Sequence, residues 1–278
     1  MRYYRRFTPT EVWLHVTIII SFLGLALTGL ILKFSEAGWA KVLADLLGGY
    51  RAAGALHRFL AIVTFGYFIA HLAQLFRKYL RKRREGKPVF RLKVIFGPDS
   101  TVPSLKDLRD IFHQFLWFFG LRRGRPEWDR FTYFAKFDYF AVFWGVPVIG
   151  LSGLVLWFKE FFALFLPGWL LNIAFIVHSD EALLAVGFIF GIHFFNAHLR
   201  AESFPIDLSI FTGRISEEEF KEKHPAQYER LMREGRLEEL RDDPPPQWLV
   251  RTGEVFGFTA LAVGLTCLGL IIWAILSF

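Results

Sequence analysis

The sequence predicts an all-α protein that is embedded in a membrane as a helix bundle. Of its 278 residues, 54% are hydrophobic and 33 are phenylalanine, a composition typical of membrane proteins. Five segments are mainly apolar over roughly 20 residues or more, the length that a helix needs to cross a bilayer. They cover about residues 11–33, 54–76, 135–158, 172–197 and 252–277.

The first span begins with a helix-capping pattern. Thr8 is a predicted N-cap, Pro9 suits the first helical position, and Glu11 stands where a capping box needs an acidic residue. The apolar run that follows is too long for the core of a signal peptide, and no small-residue cleavage site comes after it. We therefore expect this helix to stay in the membrane.

The basic residues of the loops predict the orientation. Arg2, Arg5 and Arg6 precede the first span, and seven lysines and arginines lie from Arg77 to Lys87, whereas the loops after the first and third spans carry fewer. Basic loops stay in the cytoplasm. The sequence thus predicts a multi-pass protein of the bacterial inner membrane, with a cytoplasmic N-terminus and a periplasmic C-terminus.

The two cytoplasmic connections differ in character. Ser104 and Asp107 resemble a capping pair, and the apolar residues that follow form one stripe, which predicts a helix over about residues 104–120. This helix either lies in the membrane interface or packs on a partner subunit. The stripe consists of Leu105, Leu108, Ile111, Phe112, Phe115, Leu116 and Phe119. The predicted organisation is a core over residues 1–200, a charged connection over 201–250 and a fifth span within 251–278. The fifth span lacks histidine and is expected to serve as scaffold.

Paired histidines are the main functional signal. His57 and His71 lie fourteen residues apart on one span, and His178 and His193 lie fifteen apart on another. On a helix these spacings correspond to roughly 21–23 Å and return to within roughly 40–60° of the same face. Ionisable residues inside a membrane are usually functional. The pattern predicts two stacked haems, with His57 and His178 as the pair nearer the periplasm.

The cytoplasmic side offers more histidines than one haem needs. His193 is the preferred ligand there, because it shares a face with His178, and His15 and His71 compete for the opposite position on the iron. His198 lies about 140° round the helix from His193. It is therefore expected to serve as a surface or propionate partner. A third haem that uses the spare histidines is the alternative.

Other residues fit the surroundings of a haem. Arg51 and Arg58 flank the periplasmic ligand, and Arg200 follows the cytoplasmic one, so all three are candidates to pair with propionates, although interfacial arginines also extend to the membrane surface. Small residues permit close approach of a porphyrin or of another helix. The glycines in question are Gly29, Gly145, Gly150 and Gly153.

Two sets of polar residues are candidates for a quinone pocket. Lys136, Asp138 and Tyr139 begin the third span on the cytoplasmic side, and Asp180 and Glu181 follow His178 on the periplasmic side. Ordinary helix-end charge would also explain each residue. We favour the cytoplasmic set, with Asp138 as the candidate contact, because the surplus histidines and the amphipathic helix lie there.

The cysteine content restricts the haem type and excludes other metal sites. The single cysteine, Cys267, rules out intrachain disulfides and cysteine-ligated clusters, and no CxxCH motif is present for covalent haem attachment. The net charge of +7 does not indicate nucleic-acid binding, because the basic residues concentrate beside apolar segments. The expected cofactor is non-covalent haem b.

Specific motifs resemble known membrane cytochromes b. Residues 6–15 (RFTPTEVWLH) and 27–30 (LTGL) resemble the first helix of the cytochrome b subunits of formate dehydrogenase and thiosulfate reductase. Residues 193–200 (HFFNAHLR) and 204–207 (FPID), with the helix before them, resemble b-type subunits that accompany periplasmic multihaem cytochromes c. The resemblance covers the first four spans and extends to about residue 232.

The resemblance implies a four-helix dihaem core. Carried over, it makes His57–His178 the outer pair and His15–His193 the inner pair. The presence of His71 departs from that pattern. Two helices with two histidines each are also similar to the cytochrome b of quinol:cytochrome c oxidoreductases, which would make His71–His193 the inner pair.

The sequence therefore predicts an electron-transfer subunit of a quinone or quinol oxidoreductase complex. It would pass electrons between quinone in the lipid bilayer and a periplasmic multihaem cytochrome c, iron–sulfur or dehydrogenase subunit. Two bound haems, or three, are expected. Two other classes stay open, namely a transporter with histidine proton relays and a membrane anchor without haem. A reduced-minus-oxidised optical spectrum shows b-type bands only if the chain is a cytochrome, and so distinguishes that class from the other two.

Overall fold

The computed structural model describes residues 1–86 and 95–277. Within these ranges, five helices are long and apolar enough to cross a membrane. The five predicted spans and the all-α membrane class are thereby confirmed. Lys87, which contributes to the predicted orientation, lies outside the described residues. The spanning helices are α1 (Pro9–Lys33), α3 (Tyr50–Arg84), α5 (Tyr133–Trp157), α7 (Gly168–Phe188) with its continuation to Leu199, and α11 (Gln247–Ser277).

The shorter elements lie between the spans. They are β1 (Tyr3–Arg5), α2 (Gly38–Leu46), α4 (Leu105–Phe118), α6 (Lys159–Phe162), α8 (Ser209–Thr212), β2 (Arg214–Ser216), α9 (Glu217–Lys223), α10 (Pro225–Arg233), a 3-10 turn (Glu238–Leu240) and β3 (Arg241–Asp242). We call the end of the bundle that carries β1 and α4 the N-terminal side. The end that carries α2 and α6 is the opposite side.

The ends of the spanning helices follow from local chemistry. α1 begins with the predicted capping box, in which Glu11 N donates to Thr8 Oγ1 and Thr8 N donates to the Glu11 carboxylate across 2.8 Å. α3 continues to Arg84, eight residues past the predicted end of its span. Hydropathy marks only the apolar part of a helix, while backbone hydrogen bonding continues through the basic turns that follow.

The bundle is built from two helix pairs and an outer fifth helix. α1 packs along α3, and α5 packs along α7, while α11 packs against α1 and the end of the fourth span. Close approach of α11 depends on glycine. A Cβ atom at Gly264 would stand 2.5 Å from the ring of Phe194, and one at Gly257 would stand 2.1 Å from Ile206. Four helices therefore enclose the interior, and the fifth supports them from outside.

The fourth span ends in π-helical turns. Ile189–His193 and Phe195–Leu199 both adopt the wider π conformation. Such turns are rare and frequently occur at functional sites. Because they rotate the chain less per residue than an α-helix does, they alter the directions that regular helical spacing gives for His193 and His198.

A small α/β cap covers the N-terminal side, which the sequence did not predict. β1 is the central strand of a three-stranded antiparallel sheet of order β2-β1-β3, in which Tyr4 pairs with Ile215 and with Arg241. Tyr4 is fully buried against Phe220 and Tyr228. Strands of two or three residues are too short to show a period-two pattern, so the 201–250 connection was expected only to be charged.

Helix α4 presents its apolar stripe outward. Its polar face is attached to the bundle through Asp107, whose carboxylate lies 2.9 Å from Lys136 Nζ, with both side chains less than 10% exposed. Leu105, Leu108 and Phe112 are more than 60% exposed. The helix was predicted to meet either the membrane interface or a partner subunit, and this exposed stripe is the surface available for either.

Candidate functional site

A large cavity runs through the four-helix core. Its volume is about 2250 Å³, whereas pockets for small ligands commonly measure about 300–1,000 Å³. Most of its wall is apolar. Eight of the ten residues predicted to contact cofactors line it, namely His15, His57, His71, His178, His193, Arg58, Arg200 and Asp138. The other two, Arg51 and His198, lie outside the lining.

His57 and His178 face one another on the opposite side. Their ring centres are 6.2 Å apart, and the ring planes cross at 80°. Two imidazoles that bind one metal ion from opposite sides, with metal–nitrogen distances of about 2 Å, have ring centres roughly 6 Å apart. The separation therefore suits a pair of axial ligands without any movement of the helices.

Hydrogen bonds to the Nδ1 atoms define the protonation of this pair. His178 Nδ1 lies 2.9 Å from the carbonyl oxygen of Ile149, which can only accept. His57 Nδ1 lies 2.9 Å from Thr28 Oγ1, and that hydroxyl donates its own hydrogen to the Gly24 carbonyl oxygen at 2.7 Å. Both rings thus carry hydrogen on Nδ1. Their Nε2 lone pairs are left for a metal, the usual arrangement of metal-binding histidines.

Two glycines give these rings their space. A Cβ atom at Gly29 would stand 3.3 Å from His57 Cε1, and a Cβ atom at Gly153 would stand 2.7 Å from His178 Cε1. Any larger residue at position 153 would push the imidazole out of place. The same contact occurs in both helix pairs. A glycine of α1 lies against the histidine of α3, and a glycine of α5 lies against the histidine of α7.

His193 is oriented by a carboxylate on the N-terminal side. Its Nδ1 lies 2.9 Å from Asp138 Oδ2, so the ring donates to the carboxylate and keeps its Nε2 lone pair. The ring of His15 forms no hydrogen bond with any described residue. The structure places His15 of α1 and His193 of the fourth span on the wall of the same cavity.

His71 has a different environment. Its Nε2 forms a 2.9 Å hydrogen bond with the hydroxyl of Tyr139, so the nitrogen that would normally bind iron is already engaged. The ring of Tyr67 lies nearly parallel to it, at 11° and 6.2 Å between centres.

His198 points away from the cavity. It is 7% exposed, its Nδ1 contacts the carbonyl oxygen of Pro205 at 3.3 Å, and its ring meets the ring of Phe194. The expected angle of about 140° from His193 assumed a regular α-helix. The π turns invalidate that angle, and the side chain is instead held by the segment that follows the helix.

The three candidate arginines occupy different positions. Arg58 lines the cavity and lies over the ring of Trp157 at 5.9 Å. Arg200 also lines it, over Phe134 at 4.2 Å and 3.4 Å from Glu202. Arg51 is exposed at the surface of α3. Arg58 and Arg200 therefore have access to a group in the cavity, while Arg51 has none.

The cap closes the N-terminal end of the cavity with buried polar groups. Arg6 donates to Gln227 Oε1 at 2.9 Å, and His224 Nδ1 donates to the carbonyl oxygen of Asp129 at 2.9 Å. Arg6 and His224 both line the cavity. Burial, reinforced by the charge of Arg6, holds the pKa of His224 well below its ordinary value, so this ring is neutral at pH 7.

Sequence reasoning missed most of the supporting residues. Thr28 belongs to the LTGL motif, and its position beside Gly29 was the one available signal for it. The carbonyl oxygen of Ile149 has no sequence signature. Asp138 was identified only as a quinone contact, whereas its carboxylate is the hydrogen-bond partner of His193. Tyr139 was noted beside it but not linked to His71.

Comparison with known protein families gave a match over the four-helix core. A family model described as prokaryotic cytochrome b561 matches residues 6–203. The matched region contains the four helices of the core and every histidine on the cavity wall except His224 of the cap. None of the curated proteins compared with the chain matches it.

Proposed function

Because this chain belongs to the prokaryotic cytochrome b561 family, membrane b-type cytochromes that bind haem b, we propose that it conducts electrons across the bilayer between two bis-histidine haems. The facing pair of His57 and His178 carries the proposal. Each haem, when bound, takes up and releases one electron at its iron. Two axial histidines leave the iron no open position, which favours electron transfer over oxygen chemistry.

The residues around the outer pair have defined tasks. Thr28 and the Ile149 carbonyl oxygen hold the two rings in the tautomer that offers Nε2 to iron. Gly29 and Gly153 provide the room that the rings need. Arg58 is the one candidate arginine at this depth on the cavity wall, and we assign it to a propionate. Most of the cavity wall is apolar, which suits the macrocycle of a haem.

On the N-terminal side we propose His15 and His193 as the inner pair. Both rings line the cavity, and the Asp138 carboxylate accepts the Nδ1 hydrogen of His193, which leaves the Nε2 lone pair for iron. The rival pairing of His71 with His193 would require His71 to give up its bond to Tyr139. Since His178 and His193 lie fifteen residues apart on one span, the two haem sites fall roughly 22 Å apart along the helix.

The position of the two sites implies a path perpendicular to the membrane. Basic residues before α1 and at the end of α3 favour a cytoplasmic N-terminal side. We propose that the inner site exchanges electrons with quinone in the bilayer and that the outer site faces a periplasmic redox partner, either a multihaem cytochrome c or an iron–sulfur or dehydrogenase subunit. The chain would then be one subunit of a quinone oxidoreductase complex of the bacterial inner membrane.

Haem analysis of the purified protein tests the proposal. The chain is produced in membranes with haem supplied and purified in detergent, and its haem is measured as the pyridine haemochrome. We expect b-type bands and about two haems per chain, with low-spin signals in electron paramagnetic resonance. A haem-free protein would overturn the proposal in favour of a transporter or an anchor. Three haems would assign a further site to the spare histidines.

A further inference from the structure

We propose that His71 and Tyr139 form the polar end of a quinone-binding site on the N-terminal side of the cavity. This inference rests on the proposed function, because it identifies the residues with which the cytochrome holds its membrane-soluble redox partner. It gives His71 a role other than iron ligation.

The chemistry of the pair suits a quinone head group. A quinone is a flat ring that carries two carbonyl oxygens, so its site needs hydrogen-bond donors and flat apolar walls. When His71 Nε2–H donates to the Tyr139 oxygen, 2.9 Å away, the Tyr139 hydroxyl keeps its own hydrogen to donate to one quinone oxygen. Tyr67 lies nearly parallel to the His71 ring, and Phe143 lies 24° from the Tyr139 ring, with 6.2 Å between centres in both pairs.

The pair stands directly beside the inner haem site. Asp138 and Tyr139 are consecutive residues of α5, and they serve different histidines. Asp138 bonds His193, while Tyr139 bonds His71. A head group hydrogen-bonded to Tyr139 would therefore lie one residue along α5 from Asp138, the hydrogen-bond partner of His193.

The location also connects the pair to the bilayer. The residues that follow the two partners, Leu72 and Phe140, are 40% and 53% exposed on the membrane-facing surface of the bundle. His71 and Tyr139 themselves line the cavity. The pair thus lies at the boundary between the cavity and the lipid, where a hydrophobic quinone enters with its isoprenoid tail left in the membrane.

Polar groups lead from this point toward the N-terminal end of the cavity. Gln74 and Lys78 lie three and seven residues after His71, on the same face of α3. Lys78 forms a 2.9 Å ion pair with Glu11, and all three side chains line the cavity. If the bond between His71 and Tyr139 only held two helices together in a closed core, polar side chains would not be needed along this part of the cavity wall.

Direct binding measurements on the haem-loaded protein test this site. Menadione and decylubiquinone represent naphthoquinones and benzoquinones, and each is titrated against the detergent-purified protein while tryptophan fluorescence is recorded. We expect at least one of them to bind the wild-type chain. The variants His71→Gln and Tyr139→Phe should each weaken that binding about tenfold, as loss of one hydrogen bond does, without any change in haem content.

Matched variants control for general damage. Tyr133→Phe alters a tyrosine of the same helix outside the cavity lining, and His198→Gln alters a histidine that points away from it, so neither should change the dissociation constant. Loss of a haem in His71→Gln would show that His71 is a ligand and overturn the inference. Unchanged binding in both test variants, or no binding by the wild type, would also overturn it. In each of these cases a wild-type count of two haems leaves the proposed electron transfer between two haems standing, whereas a haem-free wild type ends both proposals.

Discussion

The imidazole of His193 donates its Nδ1 hydrogen to Asp138 across 2.9 Å. The other oxygen of that carboxylate, Oδ1, is buried and accepts no hydrogen bond from the described residues. Among the described residues, His193 is thus the one hydrogen-bond donor to this carboxylate, whose negative charge lies next to a candidate iron ligand. Such a charge stabilises the more positive, ferric state of an iron bound to the same ring.

Neutralising this carboxylate should raise the reduction potential of one haem. In Asp138→Asn the amide oxygen can still accept from His193 Nδ1, but the negative charge is lost. We expect a higher midpoint potential for the inner haem and an unchanged one for the outer haem, measured by optical redox titration. Asp180→Asn is the control. Asp180 pairs with Lys33 on the opposite side, so this variant should leave the potential of the inner haem unchanged. A lower or unchanged inner potential would contradict the assignment.

The outer pair should behave as a unit. His57→Ala and His178→Ala each leave a single histidine to hold the outer haem, so that haem should dissociate from either variant, which removes the same low-spin signal and leaves about one haem per chain. Electron paramagnetic resonance and the pyridine haemochrome measure the two properties. If either variant kept both low-spin haems, these histidines would not be partners.

The glycines beside the outer pair should differ in sensitivity. Gly153→Ala places a methyl group 2.7 Å from His178 Cε1, whereas Gly29→Ala places one 3.3 Å from His57 Cε1. We therefore expect the first variant to lose the outer haem and the second to retain it with a shifted potential. Gly145→Ala, whose methyl group meets nothing closer than 4.0 Å, should match the wild type. Equal haem content in all three variants would show that the rings move freely.

The inner side can be resolved by counting haems. We expect His15→Ala and His193→Ala each to remove one haem, and His71→Ala and His198→Ala to remove none. The physical reason is that His71 Nε2 is bonded to Tyr139 and His198 lies outside the cavity. If His71→Ala removes a haem while His15→Ala does not, the inner pair is His71–His193. If each removes a different haem, the chain carries three.

The cap should lose stability in mild acid. The pKa of His224 is depressed in the folded chain by burial and by Arg6. The unfolded chain, with a histidine pKa of about 6.5, therefore binds a proton first. Stability from this group is complete above pH 6.5 and falls as the pH drops toward the folded pKa. Hydrogen exchange of the cap amides between pH 7.5 and pH 5.5 measures the effect.

A substitution isolates this contribution. In His224→Gln the titrating group is gone, so the pH dependence of cap opening should become weaker by up to one proton. Glu218→Gln, an exposed change on the same helix α9, is the control and should keep the pH dependence of the wild type. An identical pH profile for the wild type and His224→Gln would show that other groups govern the cap.

The sequence predicted what depends on composition and regular spacing. Apolar length located all five spans, and the fourteen- and fifteen-residue spacings placed His57 and His178 at one depth. It did not predict what depends on tertiary contact or irregular backbone. The strand at Tyr3–Arg5 exists only because residues 214–216 and 241–242 pair with it. The π turns at His193 and the bond between His71 and Tyr139 likewise arise from packing between helices.

The central position of β1 in the cap sets an order for assembly. Residues 3–5 leave the ribosome first, but their sheet partners at 214–216 and 241–242 come only after four spans have been made. Until then Arg6 cannot meet Gln227, and His224 cannot close the N-terminal end of the cavity. During synthesis the helical core therefore passes through a stage at which the N-terminal end of its cavity is not yet covered. A cofactor can enter the cavity at that stage, before the cap forms.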